Sequence, residues 1–159
     1  MPELQLSSEN YINRELSWIE FNRRVLAEAQ NPRNPLLERL KFLAIFSNNL
    51  DEFYMVRIAS YHNKLQANIT RTRPDGLTPV QVLTEAKERL RQLLQLHRDL
   101  LVQVLAELAR ESVHVIRVAA LPANQQAILK QYYQREIFPV LTPFAVDHAR
   151  PFPFISNLS

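Results

Sequence analysis

From Val80 to Glu111 the chain contains neither proline nor glycine, and Thr78-Pro79-Val80-Gln81 at its head is a helix-start signature. The spacing predicts one unbroken helix over about 79–111, close to 50 Å long at about 1.5 Å per residue. Leu83, Ala86, Leu90, Leu93, Leu94, Leu100, Leu101, Val104, Leu105 and Leu108 form a seam along it. A helix of that length cannot bury such a seam alone. Shorter helices have to line up against it, and an antiparallel helical bundle is the expected result.

The residues upstream supply those helices. Ser17 followed by Glu20 forms a capping-box pattern, and Trp18, Phe21, Val25, Leu26 and Ala29 recur at helical spacing, predicting a first helix over about 18–30. Asn31-Pro32-Arg33-Asn34-Pro35 breaks it. Asn34 as cap and Pro35 at the first helical position predict a second helix carrying Leu36, Leu37, Leu40, Leu43 and Ala44 to about Phe46. Ser47 and Asn48 are then expected to cap a third helix with Asp51 and Glu52 in its first turn, where the helix dipole favours negative charge. Its buried stripe is expected to be Leu50, Tyr54, Ile58, Tyr61, Leu65 and Ile69. Arg71 to Leu77 is the clearest turn of the chain.

Beyond Glu111 the pattern changes. Val113-His114-Val115-Ile116-Arg117 alternates like a short strand, Pro122 to about Phe138 reads as a helix, and Pro139 to Pro143 reads as extended chain. The expected fold class is mainly α: a helical N-terminal domain over 1–111 with one long helix, then the start of a second, α+β domain over 112–159. The apolar, proline-rich run from Arg150 to Ser159 suggests a fragment cut inside a larger protein.

Composition narrows the chemistry. Gly76 is the one glycine, so neither a Walker-type phosphate loop nor a dinucleotide fingerprint can be built. The lack of cysteine removes disulfides, zinc–cysteine clusters and thiol catalysis. The 19 basic residues against 16 acidic ones are nearly all arginine, with lysine only at 41, 64, 87 and 130. Arginine suits forked contacts with phosphate or carboxylate, although salting of outer helix faces explains most of such an excess. Aromatic residues follow core spacing and do not interleave with the basic ones, so no nucleic-acid partner is expected. No run of about eighteen apolar residues occurs, and Met1 to Gln5 lacks the layout of a signal peptide, which together predict a cytoplasmic protein without a transmembrane segment.

His62, His97, His114 and His148 show no metal-binding or nucleophile–base spacing, so no catalytic residue and no metal ligand is assigned. His97 lies on the leucine seam and is read as a packed, structural histidine. Asp51 and Glu52 are neighbours whose side chains diverge by about 100° on a helix, which argues against a converging acid–base pair. Asn49 stands apart. Its amide donates and accepts at once, matching the donor and acceptor edge of adenine, with a nearby phenylalanine such as Phe42 to cover the ring. The alternative is a polar residue that completes a helix start.

Four blocks resemble the long-chain polyphosphate kinases, which build inorganic polyphosphate from ATP. They are Tyr11 to Leu26 (YINRELSWIEFNRRVL), Asn34 to Phe46 (NPLLERLKFLAIF), Ser47 to Phe53 (SNNLDEF), and Phe138-Pro139-Val140-Leu141-Thr142-Pro143 with Pro151 to Ser159 (PFPFISNLS). The resemblance implies a multidomain transferase whose helical N-terminal domain precedes a head domain begun here. It also implies a histidine in the absent C-terminal half that carries the phosphate, with magnesium assisting. The second asparagine of the Ser-Asn-Asn block, Asn49 here, is implied to bind ATP, and Phe42 to neighbour the base. Arg23, Arg24, Arg39 and Arg57 are lesser candidates for phosphates. ATP, inorganic polyphosphate, the remaining domains and a second subunit are the implied partners, and the fragment alone is expected to be inactive.

Overall fold

A computed structural model describes residues 7–155; the readings placed on Met1 to Gln5 and on Ser156 to Ser159 lie outside the described residues. In chain order the α-helices are α1 (Arg14–Gln30), α2 (Leu36–Glu52), α3 (Ala59–Gln66), α4 (Pro79–Arg110) and α5 (Ala123–Tyr132). The mainly α class with one long helix is what the structure shows. Helices α1, α2 and α4 pack on one another, and α3 joins α4 at one end. Ile19, Leu26 and Ala29 of α1, Leu43, Phe46 and Leu50 of α2, and Ala86, Leu90, Val104 and Leu108 of α4 make one continuous core. Full burial of each large aliphatic side chain stabilises by about 1.5–3 kcal/mol, which sets these three helices against each other.

The long helix begins as its sequence predicts. Thr78 Oγ1 accepts the Gln81 N–H at 3.3 Å and Gln81 Oε1 accepts the Thr78 N–H at 2.9 Å, a reciprocal capping box with Pro79 at the first helical position. The helix ends where Ser112 enters the left-handed region at φ +62°, so that the Val113 N–H reaches the Leu108 carbonyl and the Ser112 N–H that of Ala109. Asn68, at φ +53°, closes α3 in the same way. The turn before α4 needs Gly76, which has φ +78° and whose added Cβ would stand 3.2 Å from that of Ser8.

Three boundaries differ from expectation, because another group caps the helix or the expected capping group bonds elsewhere. First, α1 starts four residues earlier than the Ser17–Glu20 pattern indicates: Asn13 Oδ1 caps it by accepting the N–H groups of Glu15 and Leu16, while Asn13 Nδ2 is held by Asp75 at 3.0 Å. Phe21, expected in the core, is exposed, and Asn22 is buried in the helix face instead. Second, Asn34 does not cap α2; its amide turns back to the Glu28 carbonyl at 2.8 Å, leaving Pro35 to open the helix. Third, Ser47 and Asn48 start nothing. The Ser47 hydroxyl bonds back to the Leu43 carbonyl inside a helix that runs on through Glu52.

That third difference matters most. α2 passes without a break into a wide π-helical turn, Phe53–Ile58, and then into α3. A π turn takes more residues per revolution than an α turn and so shifts which positions face inward. Phe53 is buried at 1% exposure, whereas Tyr54, expected in the stripe, is 42% exposed and Ile69 is exposed as well. Leu94 of α4 is likewise exposed.

After Glu111 none of the described residues is buried. Residues 113–117 form no strand, having no partner strand among the described residues, and a strand exists only by pairing its N–H and C=O groups with another. The predicted helix there is α5, continued by a π turn (Tyr133–Ile137) and a 3-10 turn (Phe138–Val140), so extended chain begins only at Leu141.

Candidate functional site

The SNNLDEF segment occupies the last turn and a half of α2 and, at Phe53, the start of the π turn, and it faces the first half of α1. Asn49 is half-buried there. It does not complete a helix start, because the helix has already run thirteen residues by that point. Its Nδ2 donates to Asn22 Oδ1 at 3.1 Å, and Asn22 Nδ2 donates to the Phe46 carbonyl at 3.2 Å. Asn22 is fully buried, so its amide finds all its partners within the protein.

Asn49 opens onto a small cleft of about 70 Å³, lined also by Trp18, Glu52, Phe53, Val56 and Arg57. The Trp18 and Phe53 rings stack face to face, 4.2 Å apart and 9° from parallel, and form its apolar wall. Trp18, Phe53 and Arg57 also line a neighbouring hollow of about 50 Å³ with Arg14 and Glu15, so the two make one groove between α1 and the π turn. A larger hollow of about 670 Å³ is lined by α5 and its continuation alone and lacks an opposed wall.

The Glu15 end of the groove is charged and buried. The Glu15 carboxylate, 1% exposed, accepts from Arg14 Nε at 2.7 Å and from Arg73 Nη1 at 2.9 Å. Burial on its own pushes this carboxyl up, but the Arg14 hydrogen bond and the charges of Arg73 and Arg14 outweigh it and hold the group below the ordinary carboxylate value. Arg73 also donates to the Tyr61 hydroxyl at 3.2 Å. Burial and the Glu15 charge raise the Tyr61 phenol above its ordinary value. The cluster ties α1, α3 and the turn before α4 together, so its geometry is that of a fastening.

Other sequence candidates separate from the groove. Phe42 lies on the same face of α2 as Asn49, two turns earlier, half-buried against the core and apart from the residues lining the cleft. Arg39 is buried as a clamp: Nε donates to the Ala29 carbonyl at 2.9 Å and Nη1 to Glu107 at 2.6 Å. Arg23 pairs with Glu20 on the surface and Arg24 lies over the Phe21 ring. Of the four arginines, Arg57 alone reaches the groove, and among the described residues it takes part in no ion pair. Glu52 lines the cleft while Asp51 is simply exposed. His97 is a packed histidine, its Nε2 3.2 Å from the Leu43 carbonyl and its ring stacked on Phe46.

Trp18 in the groove and the groove's buried support, Asn22, escaped sequence reasoning, as did Arg14 and Glu15 at the charged end. Trp18 looked like core because it sits at helical spacing, and Asn22 carried no signal except a polar residue one turn from Trp18 and Leu26 in an apolar pattern.

Comparison with known proteins adds an independent line. The family model described as the polyphosphate kinase N-terminal domain matches residues 11–116, and that described as the polyphosphate kinase middle domain matches residues 124–159. A polyphosphate kinase of Prochlorococcus marinus (strain MIT 9313) is 52% identical over 97% of this chain and 22% of its own length. One from Thermosynechococcus vestitus is 50% identical over 94% of the chain and 20% of its own. The crystal structure of polyphosphate kinase from Porphyromonas gingivalis superimposes with a TM-score of 0.66 at 30% identity, over 90% of this chain and 20% of that one. The chain spans about a fifth of the length of the curated relatives it matches.

Proposed function

Because the chain belongs to the polyphosphate kinase family, we propose that it is the N-terminal part of an enzyme that transfers the γ-phosphate of ATP to a growing inorganic polyphosphate chain. Residues 1–111 act as a helical domain that contributes the adenine side of the ATP site, and residues 112–159 begin the head domain. The phosphate is carried by a histidine outside these residues, and the fragment alone is inactive. Among the described residues no helix is long and apolar enough to cross a membrane.

Asn49 is the base contact in this reading. One hydrogen of its Nδ2 is used by Asn22 while the residue lines the cleft, which leaves Oδ1 and the second N–H as one acceptor and one donor for the edge of adenine. The Trp18–Phe53 stack supplies an apolar wall, Phe42 an apolar neighbour farther along the same face of α2, and Arg57 a cation for phosphate oxygens. Magnesium that accompanies ATP keeps waters and phosphate oxygens as ligands. Among the described residues no group of three or more acidic or imidazole side chains would hold it.

The observation that carries the proposal is a mid-helix asparagine, anchored from behind and open to an aromatic-walled cleft. Its test is ATP-dependent formation of acid-insoluble polymer by the full-length protein beside Asn49→Ala. Loss of the contact removes about 0.5–1.5 kcal/mol, raising the ATP requirement up to about tenfold. Unchanged ATP dependence leaves the groove as scaffold. In that case the exposed Tyr54, Met55 and Val56 favour the second reading, a docking and dimerisation module, and subunit association is the property that their substitution by serine would weaken.

A further inference from the structure

Asn22 is a polar side chain at 0% exposure in the middle of an aliphatic face. The Phe46 carbonyl can only accept, so Asn22 has to turn its NH₂ toward the α2 backbone and its oxygen toward Asn49. That oxygen can only accept in its turn, so Asn49 has to direct its NH₂ inward. A backbone carbonyl two steps away therefore sets the polarity of the amide that faces the cleft.

We propose that Asn22 is a positioning residue that determines nucleotide specificity: by locking the Asn49 amide in one orientation it makes the cleft accept the adenine edge and reject guanine. The inference rests on the reading of Asn49 as the base contact. Adenine presents an amino donor beside a ring-nitrogen acceptor, whereas guanine presents a carbonyl acceptor beside a ring N–H donor. An asparagine free to turn by half a revolution about its last bond serves both. Asn49 held by Asn22 serves guanine only by leaving the buried Asn22 oxygen without a donor, and an orphaned buried acceptor costs more than an ordinary hydrogen bond contributes. Discrimination against a reversed donor–acceptor pattern is strong when the site's own polar groups are left unpaired by the wrong ligand.

The experiment compares kcat/KM for polymer formation from ATP and from GTP in the full-length protein, in Asn22→Leu, Asn22→Asp, Asn49→Ala and the Asn22→Leu/Asn49→Ala double variant. The ratio of the two nucleotides within one preparation cancels the fraction of folded enzyme, so a partly unstable variant still reports. Asn22→Leu, which removes the acceptor, is expected to lower the ATP-to-GTP ratio roughly three- to tenfold. Asn22→Asp, whose protonated carboxyl in this buried site keeps a donor toward the Phe46 carbonyl and an acceptor toward Asn49, is expected to hold it within about twofold. In the Asn49→Ala background the leucine substitution should change the ratio no further. An unaltered ratio in Asn22→Leu, with a raised ATP requirement in Asn49→Ala, overturns the inference and leaves the base contact standing. An equal fall in Asn22→Leu and Asn22→Asp also overturns it, and no effect of Asn49→Ala on either nucleotide removes both.

Discussion

Replacing Arg73 by methionine keeps the length of the side chain and deletes its charge where it meets Glu15. The Glu15 carboxylate is 1% exposed and the Arg73 side chain 31%, so the pair lies mostly out of water. A hydrogen bond to a charged group contributes about 1.5–3 kcal/mol and the bond to the Tyr61 hydroxyl about 1 kcal/mol. Breaking a fully buried pair costs about 3–5 kcal/mol, but Arg14 remains on the other carboxylate oxygen and limits the loss. The expected destabilisation is about 2–3 kcal/mol, a fall in Tm on the order of 10–20 °C for a bundle of this size. Thermal and urea unfolding, followed by circular dichroism from pH 3 to pH 8, measure it. Because Glu15 is held below its ordinary value, its stabilisation is fully present above the unfolded pKa of about 4.3 and is lost as pH falls through the folded value. The variant keeps the upward push of burial and loses one downward cause, so less stability disappears on the acid side. A loss under about 0.5 kcal/mol with an unchanged acid limb would refute the reasoning, since that is the size of an ordinary surface substitution.

The π turn makes a direct claim about register: Phe53→Ala should destabilise by about 3–5 kcal/mol, whereas Tyr54→Ala, on the exposed side, should cost under about 1 kcal/mol, both read from urea unfolding. Equal costs would mean that the helix continues without the π turn. Ser112→Gly, at φ +62°, should raise stability by about 0.5–1 kcal/mol by relieving the left-handed strain, and a lower Tm would show that this residue does not close the long helix as described.

Much of the bundle was legible because it rests on local signals. The capping box at Thr78 and Gln81, the absence of breakers to Glu111 and the leucine seam all act over a few residues, and α4 forms where they indicate. The groove was legible only at one point. Asn49 stood out as an amide in a greasy segment, but its anchor lies 27 residues away on another helix and its aromatic wall joins Trp18 to Phe53 across α1 and the π turn. Ser17, Asn34 and Ser47 carry the same capping chemistry as Thr78, yet none caps a helix.

Helical class, the long central helix and the exclusion of glycine-loop and thiol chemistry were therefore decided by the sequence itself, through backbone propensity, periodicity and the residue types available. Tertiary structure decided where the other helices begin, which aromatic ring turns inward and which way the Asn49 amide points. A side-chain amide or hydroxyl satisfies a helix end, a neighbouring carbonyl or a distant carboxylate about equally well, and burial against a particular partner is what selects one of them.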